Sequence, residues 1–359
     1  MEETSATNRT TGNTTDALID PAFQLALTVE FYFKYAILAI GIFGTAANAL
    51  VLYALTAQQA RDAKKRAINF LIINQNLLDL VSCLLLVITV CIQMGNIYLT
   101  GALGYFLCTV FVNSTSTHCT VNGSIINLVV LTVERYLKVV HPFWSKKNLK
   151  RWMVYAGMAF AWIGGIATAA PVSFITSRLH NGFCIAYLES PVSHWTFAGC
   201  NVFILFVIPL AVFIYCYGRI VVVIRRQMRV MAGHNAEGSS QMNASQAQSK
   251  RVKWNVIKTM IIVSVAFIVC CFPVNMYVLL LASSAQKSNL SVGQYPTMFL
   301  VYLNVCMNPF IYTMKHEGVK EQLARLVSCR KPNDGDAPGS SSNRAGGTHQ
   351  TGAGAVAQT

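Results

Sequence analysis

Seven long apolar runs, near residues 31–56, 70–94, 107–133, 152–174, 197–224, 256–282 and 295–314, constrain this chain more than any other feature. Each is long enough to cross about 30 Å of hydrocarbon, which takes about 20 mostly apolar residues in a helix. Composition agrees: with 54% hydrophobic and 12% charged residues, the chain has too little polar surface to cover a water-soluble globule. The sequence therefore predicts an all-α membrane protein, a seven-transmembrane helix bundle over residues 29–314. Asn304, Asn308 and Pro309 interrupt the seventh run. Broken helices are tolerated where neighbours satisfy the backbone, so these polar residues predict an inward-facing helix.

The placement of the 28 Lys and Arg predicts orientation. One side carries Arg61, Lys64, Lys65 and Arg66, then Lys146, Lys147, Lys150 and Arg151, then Arg225, Arg226, Arg229, Lys250, Arg251 and Lys253. The other has only Arg9, Lys34, Arg178 and Lys287. Positive loops are retained in the cytoplasm, so residues 1–28 are expected to form an extracellular tail and the carboxyl terminus to lie inside, in the plasma membrane. The net charge of +14 then reflects topology and attraction to anionic inner-leaflet lipid. Nucleic-acid binding is disfavoured, because the basic residues flank apolar spans instead of forming one stripe.

The termini add accessory expectations. Residues 1–20 lack the basic segment and short apolar core of a cleaved signal, so the first span is expected to direct insertion. Glycosylation sequons begin at Asn8 and Asn13 on the predicted outer side. Residues 231–248 and 331–359, rich in small and polar residues, read as disordered, with Ser340, Ser341 and Ser342 either phosphorylated or simply solvated. Between them, residues 315–330 predict a short amphipathic cytoplasmic helix, with Val319, Leu323 and Leu326 on the face opposite Lys320 and Arg325. Cys329 at its end is either palmitoylated or a free thiol.

Two ionisable features stand out inside the spans. Glu134-Arg135-Tyr136 closes the third run, where lipid gives way to water, so its ions can exchange partners. Asp79 lies deep in the second run, where an unpaired carboxylate is expensive, so it must face inward and be bonded or protonated. Pro171, Pro209, Pro273 and Pro309 each remove a backbone donor and permit a kink. Most of the eleven cysteines, including Cys83, Cys91, Cys119, Cys200, Cys216 and Cys306, fall within spans and read as small apolar residues.

In order and spacing the chain resembles the rhodopsin-like G-protein-coupled receptors over roughly residues 30–330. The residues that carry the resemblance are Asn48, Asp79, Cys108, Glu134-Arg135-Tyr136, Trp162, Pro209 with Tyr217, Phe267 with Cys270 and Pro273, and Asn308-Pro309-Phe310-Ile311-Tyr312. The resemblance implies a receptor whose agonist drives helix six outward. Tyr217 and Tyr312 then swing inward, and a heterotrimeric G protein enters beside Arg135, which Glu134 holds at rest. It also implies a disulfide between Cys108 and Cys184, and arrestin and a receptor kinase as further partners. No cofactor is required, but Asn48, Ser124, Asn304 and Asn308 match positions that surround a sodium ion at Asp79 in that family.

Two departures bear on the switch. The base of helix six carries Lys250, Arg251, Lys253 and Lys258 in place of an acid, and Cys271 stands where the family usually has Trp. Both predict measurable basal signalling. The separation of Cys108 from Arg135 is about two residues longer than in the resembling family, which leaves the register of upper helix three open. From Thr109 to Val133 there is no Asp or Glu to pair with an amine, and Tyr302 replaces the lysine that binds retinal, so aminergic and opsin ligands are disfavoured. Thr117, His118, Asn201, Asn275, Gln294 and Tyr302, beneath His194 and Trp195, could read a short extracellular peptide, with a lipid or neutral small molecule as the alternative. For each one alone, helix-to-helix bonding is the commoner role. A seven-span transporter or channel would need more ionisable residues or matched repeats, and an enzyme would need a nucleophile or metal constellation that this chain does not display.

Overall fold

The computed structural model of the protein describes residues 21–61, 70–95, 97–186, 191–234, 240–283 and 291–315. The sequons at Asn8 and Asn13, the amphipathic segment after Lys315 with Cys329, and the tail at 331–359 lie outside the described residues.

The first two passes are the uninterrupted helices α1 (Pro21–Arg61) and α2 (Phe70–Met94). The third is composite: α3 (Gly101–Leu107), one π turn (Cys108–Val112) and α4 (Thr115–Val140). A short helix α5 (Pro142–Asn148) leads to α6 (Arg151–Thr176), the fourth pass. The fifth joins α7 (Pro191–Val202) through a π turn (Phe203–Val207) to α8 (Ile208–His234), and α9 (Ser240–Ser283) and α10 (Ser291–Lys315) complete the bundle. Helices dominate because lipid provides no partner for backbone N–H and C=O groups. Among the described residues, five stretches qualify directly as spans on length and composition: 24–57, 70–94, 151–176, 192–227 and 257–283. The helices α4 and α10 are more polar because they carry groups that the other passes enclose.

Polarity in the bundle is inverted relative to a water-soluble protein. Phe31, Ile42, Phe43, Phe160, Ile163, Ile214 and Val269 are exposed on the outside, while Asn48, Asn74, Gln75, Asn76, Asp79 and Asn127 are buried. A large exposed apolar belt is a liability in water and a solvent match in lipid. Between the passes lies a core of Leu55, Leu71, Ile72, Leu128, Phe213, Ile220, Met260 and Phe267, with a smaller cluster of Ile37, Leu86, Val90 and Tyr302 toward the other end.

The third pass shows where its extra length goes. A π turn accommodates one residue more than an α turn. After it, Asn113 leaves helical geometry and Ser114 takes a left-handed conformation at φ 57°. The interruption frees carbonyls, and side chains take them up: the Thr115 hydroxyl donates to the Thr109 carbonyl and Ser116 Oγ to Val110 at 3.0 Å. Cys108 therefore stays at the bundle end while Arg135 keeps its place at the opposite end.

At the Cys108 end, β1 (Ser177–His180) pairs antiparallel with β2 (Phe183–Ala186), with His180 opposite Phe183. Asn181 and Gly182 form the connection at φ 49° and 81°, the left-handed pair that a tight two-residue hairpin turn requires. The Cys108–Cys184 disulfide ties β2 to the third pass, and the Leu99 N–H donates to the Gly182 carbonyl at 3.1 Å. Elsewhere, α4 and α6 approach closely enough that glycine is required. A Cβ at Gly165 would overlap the Cys119 carbonyl, and one at Gly123 would stand 3.1 Å from the Ala161 carbonyl oxygen.

Candidate functional site

The polar residues of the interior form one directed chain. Trp162 Nε1 on α6 donates to Asn74 Oδ1 at 3.0 Å, and Asn74 Nδ2 to Asn127 Oδ1 at 2.8 Å. Asn127 Nδ2 donates to Gln75 Oε1 at 2.8 Å, and the Gln75 amide to Asp79 Oδ1 at 3.3 Å and to Ser124. The chain ends on Asp79: Ser124 Oγ donates to Oδ1 and Asn308 Nδ2 to Oδ2, each at 2.7 Å. Every donor along this path points toward the carboxylate, so each bond polarises the next and stabilises negative charge at Asp79. Four passes are joined through groups that would be costly to leave unpaired.

The sodium set fits this centre in part. Asp79, Ser124 and Asn308 converge, and among the described residues the buried Oδ1 atoms of Asn304 and Asn308 accept no hydrogen bond. With Asp79 and Ser124, the Asn308 oxygen is of the type a hard monovalent cation takes, and Asn304 lies one turn earlier on α10. Asn48 belongs to a neighbouring cluster instead, accepting from Asn76 at 2.9 Å and donating to the Gly44 carbonyl at 2.9 Å. Gln75 and Asn127 were not in the sequence-based set. Their signal was present, since amides at such positions in a 25-residue apolar helix and its neighbour need partners.

At the opposite end of α4, Glu134 and Arg135 are both buried. Glu134 Oε2 lies 3.3 Å from Arg135 Nε, and Oε1 pairs with Lys138 Nζ one turn later. One carboxylate is thus shared by two cations. A turn earlier, the Tyr217 hydroxyl of α8 lies 3.0 Å from Thr132 Oγ1 and accepts from Ser264 Oγ of α9 at 3.3 Å. Three passes meet at that hydroxyl. Tyr136 faces away from it, its hydroxyl 3.5 Å from Tyr215 and 3.4 Å from His141 Nε2. The base of α9 presents Ile257 and Met260 to the core, and Lys258 lies over the Trp254 ring at 5.4 Å. The side chain of Tyr312 lies outside the described residues, although its backbone continues α10 past Pro309.

Phe267 is fully buried and meets Phe213 edge-on at 5.7 Å and Phe206 at 6.3 Å. Phe206 sits in the π turn of the fifth pass, next to Pro209, so a bend there bears on α9. Above Phe267, Cys271 is buried, and Asn275 Nδ2 donates to its carbonyl at 2.7 Å beside Pro273.

Near the disulfide end, Gln93 of α2 donates to the Val112 carbonyl at 2.8 Å, the Thr89 and Thr117 hydroxyls lie 3.4 Å apart, and Tyr302 of α10 is buried with Leu86 and Val90 of α2. Spans two, three and seven therefore meet at the break in the third pass. His118 is half-buried close by. Asn201 and Gln294 are exposed, His194 is half-buried, and Trp195 is exposed on α7. Sequence reasoning missed Gln93 and the hairpin, although Asn181-Gly182 is the dipeptide such a turn favours. It also missed α5, whose Phe143 is 90% exposed beside the Glu134 end.

Comparison with known proteins agrees with this geometry. The family described as 7 transmembrane receptor (rhodopsin family) matches residues 47–312. Relatives include a melatonin receptor type 1B from Gallus gallus, 25% identical over 57% of this chain and 68% of its own length. An allatostatin-A receptor from Bombyx mori is 25% identical over 82% of this chain and 80% of its own. Among solved structures, squid rhodopsin shares the fold at a TM-score of 0.68 with 17% identity, over 88% of this chain and 93% of that one. The family match spans most of the chain and includes the Asp79 network, the Glu134-Arg135 pair and the disulfide at Cys108, and this protein belongs to the rhodopsin family of seven-transmembrane receptors.

Proposed function

We propose that this receptor sits in the plasma membrane with its disulfide end outside, binds a short extracellular peptide there, and exposes Arg135 to a heterotrimeric G protein at its basic end. Ligand binding and G-protein coupling are functions of the family to which the chain belongs, and catalysis is not. The observation that carries the reading is the buried Glu134-Arg135 pair beneath the Tyr217 junction. A ligand that favours separation of α9 from α8 and α4 would break the Ser264–Tyr217 bond and let Arg135 exchange partners. Exposed Phe143 supplies an apolar contact beside that opening. The same opening would admit arrestin after a receptor kinase phosphorylates Ser340–Ser342.

A peptide is favoured by two features. The hairpin β1–β2 offers backbone edges to an extended chain, and the allatostatin-A receptor aligns over most of this sequence. A neutral small molecule is the second reading, favoured by the melatonin receptor and by the uncharged Thr117, Asn275 and Tyr302. The test is nucleotide exchange on a panel of G proteins, without ligand and then with pooled peptides and lipids. Wild type should exceed untransfected membranes at matched surface density, and Arg135→Ala should abolish the difference. No exchange in wild type with any pool would overturn the reading.

A sodium ion held by Asp79, Ser124, Asn304 and Asn308 would neutralise the carboxylate to which the polar chain points. Sodium, but not choline, should then raise the melting temperature of the purified receptor, and Asp79→Asn should remove that difference. Equal melting of wild type in both salts would refute the ion.

A further inference from the structure

Two of the eight free cysteines among the described residues meet in the interior. Cys83 of α2 and Cys306 of α10 are buried with their sulfurs 3.8 Å apart. Gly44 of α1 makes room for both, since a Cβ there would overlap the two sulfurs. Each thiol is also oriented. Asn48 Nδ2 of α1 donates to Cys83 Sγ at 3.7 Å, and Cys306 Sγ donates to the Ile40 carbonyl at 3.3 Å. Packing alone asks only for small side chains at these positions. Two sulfurs facing each other add a chemistry that packing does not need.

A disulfide holds its sulfurs at about 2.05 Å, so the 3.8 Å gap closes by less than about 2 Å, within reach of side-chain rotation. The dithiol and the disulfide are both neutral, so the conversion buries no new charge beside Asp79, one helical turn from Cys83 on α2. Hydrogen peroxide is neutral and close to water in size. Asn76 Oδ1, buried beside Asn48, accepts no hydrogen bond among the described residues and offers such a molecule an acceptor one side chain from Cys83. Apolar burial slows thiol oxidation, which keeps the pair reduced until the peroxide level rises.

From this contact we infer that Cys83 and Cys306 form a reversible disulfide between α2 and α10 when a peroxide reaches the bundle interior. One peroxide oxygen bonds to Cys83 Sγ as the O–O bond breaks, and the departing hydroxide leaves with the thiol proton as water. Cys306 Sγ then attacks the sulfenic sulfur, the S–O bond breaks and a second water leaves. The two electrons lost by the thiols reduce the peroxide, and a thiol reductant reverses the bond by exchange. Asn308, two residues after Cys306, donates to Asp79 at 2.7 Å. The disulfide ties the same two passes covalently beside that bond, so α10 keeps Asn308 on Asp79 and the receptor stays at rest. That consequence rests on the proposed G-protein coupling, whereas the bond itself does not.

The test treats full-length receptor in nanodiscs with hydrogen peroxide, then alkylates, digests and weighs the peptides without reductant. Wild type should yield the Cys83 and Cys306 peptides joined, lighter than their sum by two hydrogens, and dithiothreitol should separate them. Exposed Cys91 reports that the peroxide has acted. Cys83 and Cys306 both alkylated while Cys91 is oxidised would overturn the site. Basal nucleotide exchange should fall at least about fivefold on oxidation, the lower end of ordinary coupling between sites. It should recover with dithiothreitol and ignore peroxide in Cys83→Ser, which shares any effect of the reagents on Cys108–Cys184. Linked receptor that exchanges as fast as reduced receptor would overturn the locking role. A receptor silent before oxidation refutes the coupling reading instead, and the joined peptide alone then decides the bond. If Cys83→Ser fails to fold, Cys306→Ser takes its place.

Discussion

Gln75 shows how much a single side chain can join. Its carbonyl accepts from Asn127, and its amide serves both Asp79 and Ser124. Replacing it with leucine would leave the Asn127 amide with only the Leu71 carbonyl and remove one donor from the carboxylate. Hydrogen bonds between membrane helices average about 0.6 kcal/mol, and stranding buried groups adds to that. Gln75→Leu should therefore destabilise the receptor by about 1–2 kcal/mol, measured as a lower thermal midpoint in detergent. An unchanged midpoint would show that the polar chain is not energetically connected through Gln75. At the other end, Glu134 restrains Arg135 by charge, so Glu134→Gln should raise basal nucleotide exchange at equal surface density. A fall in exchange would mean that the pair supports the active arrangement instead.

At the scale of elements, glycine positions and helix interruptions decide which helices can touch. Gly165 lets α6 lie against the backbone of α4 at Cys119 and Gly123, whereas a Cβ at Gly199 would meet nothing within 4 Å. Gly165→Leu must separate the two helices at a cost of about 1–3 kcal/mol or more, since overpacked interiors relax poorly. Its folded yield by size-exclusion profile should fall sharply while Gly199→Ala matches wild type; equal profiles would contradict the packing argument. The break at Ser114 is the second such device. Hydropathy located the third span, but only side-chain hydroxyls bonding the Thr109 and Val110 carbonyls explain how a lengthened segment remains buried.

Across the whole molecule, the disulfide and the switch act at opposite ends of one bundle. The Cys108–Cys184 link closes a sequence separation of 76 residues, for which loop entropy gives an upper bound of about 4.5 kcal/mol. Membrane insertion already restricts the reduced chain, so the stabilisation should fall below that bound. Cys184→Ser should lower thermal stability and abolish agonist response, while basal exchange per folded receptor persists because the Glu134 end is built from other contacts. Loss of basal exchange in the folded fraction would show tight coupling between the ends.

The sequence by itself determined the membrane class, the seven passes and the chemistry at Asp79 and Glu134. Hydrocarbon length, positive-loop bias and the expense of buried charge act locally and leave marks on linear order. Only tertiary structure decided that Asn48 bonds Asn76 rather than Asp79, that Gln75 and Asn127 complete the polar chain, and that Asn201 and Gln294 remain exposed. It also brought the sulfurs of Cys83 and Cys306 together against Gly44. Those outcomes depend on helix rotation and close approach, which are set by packing between passes and so cannot be read from any one of them.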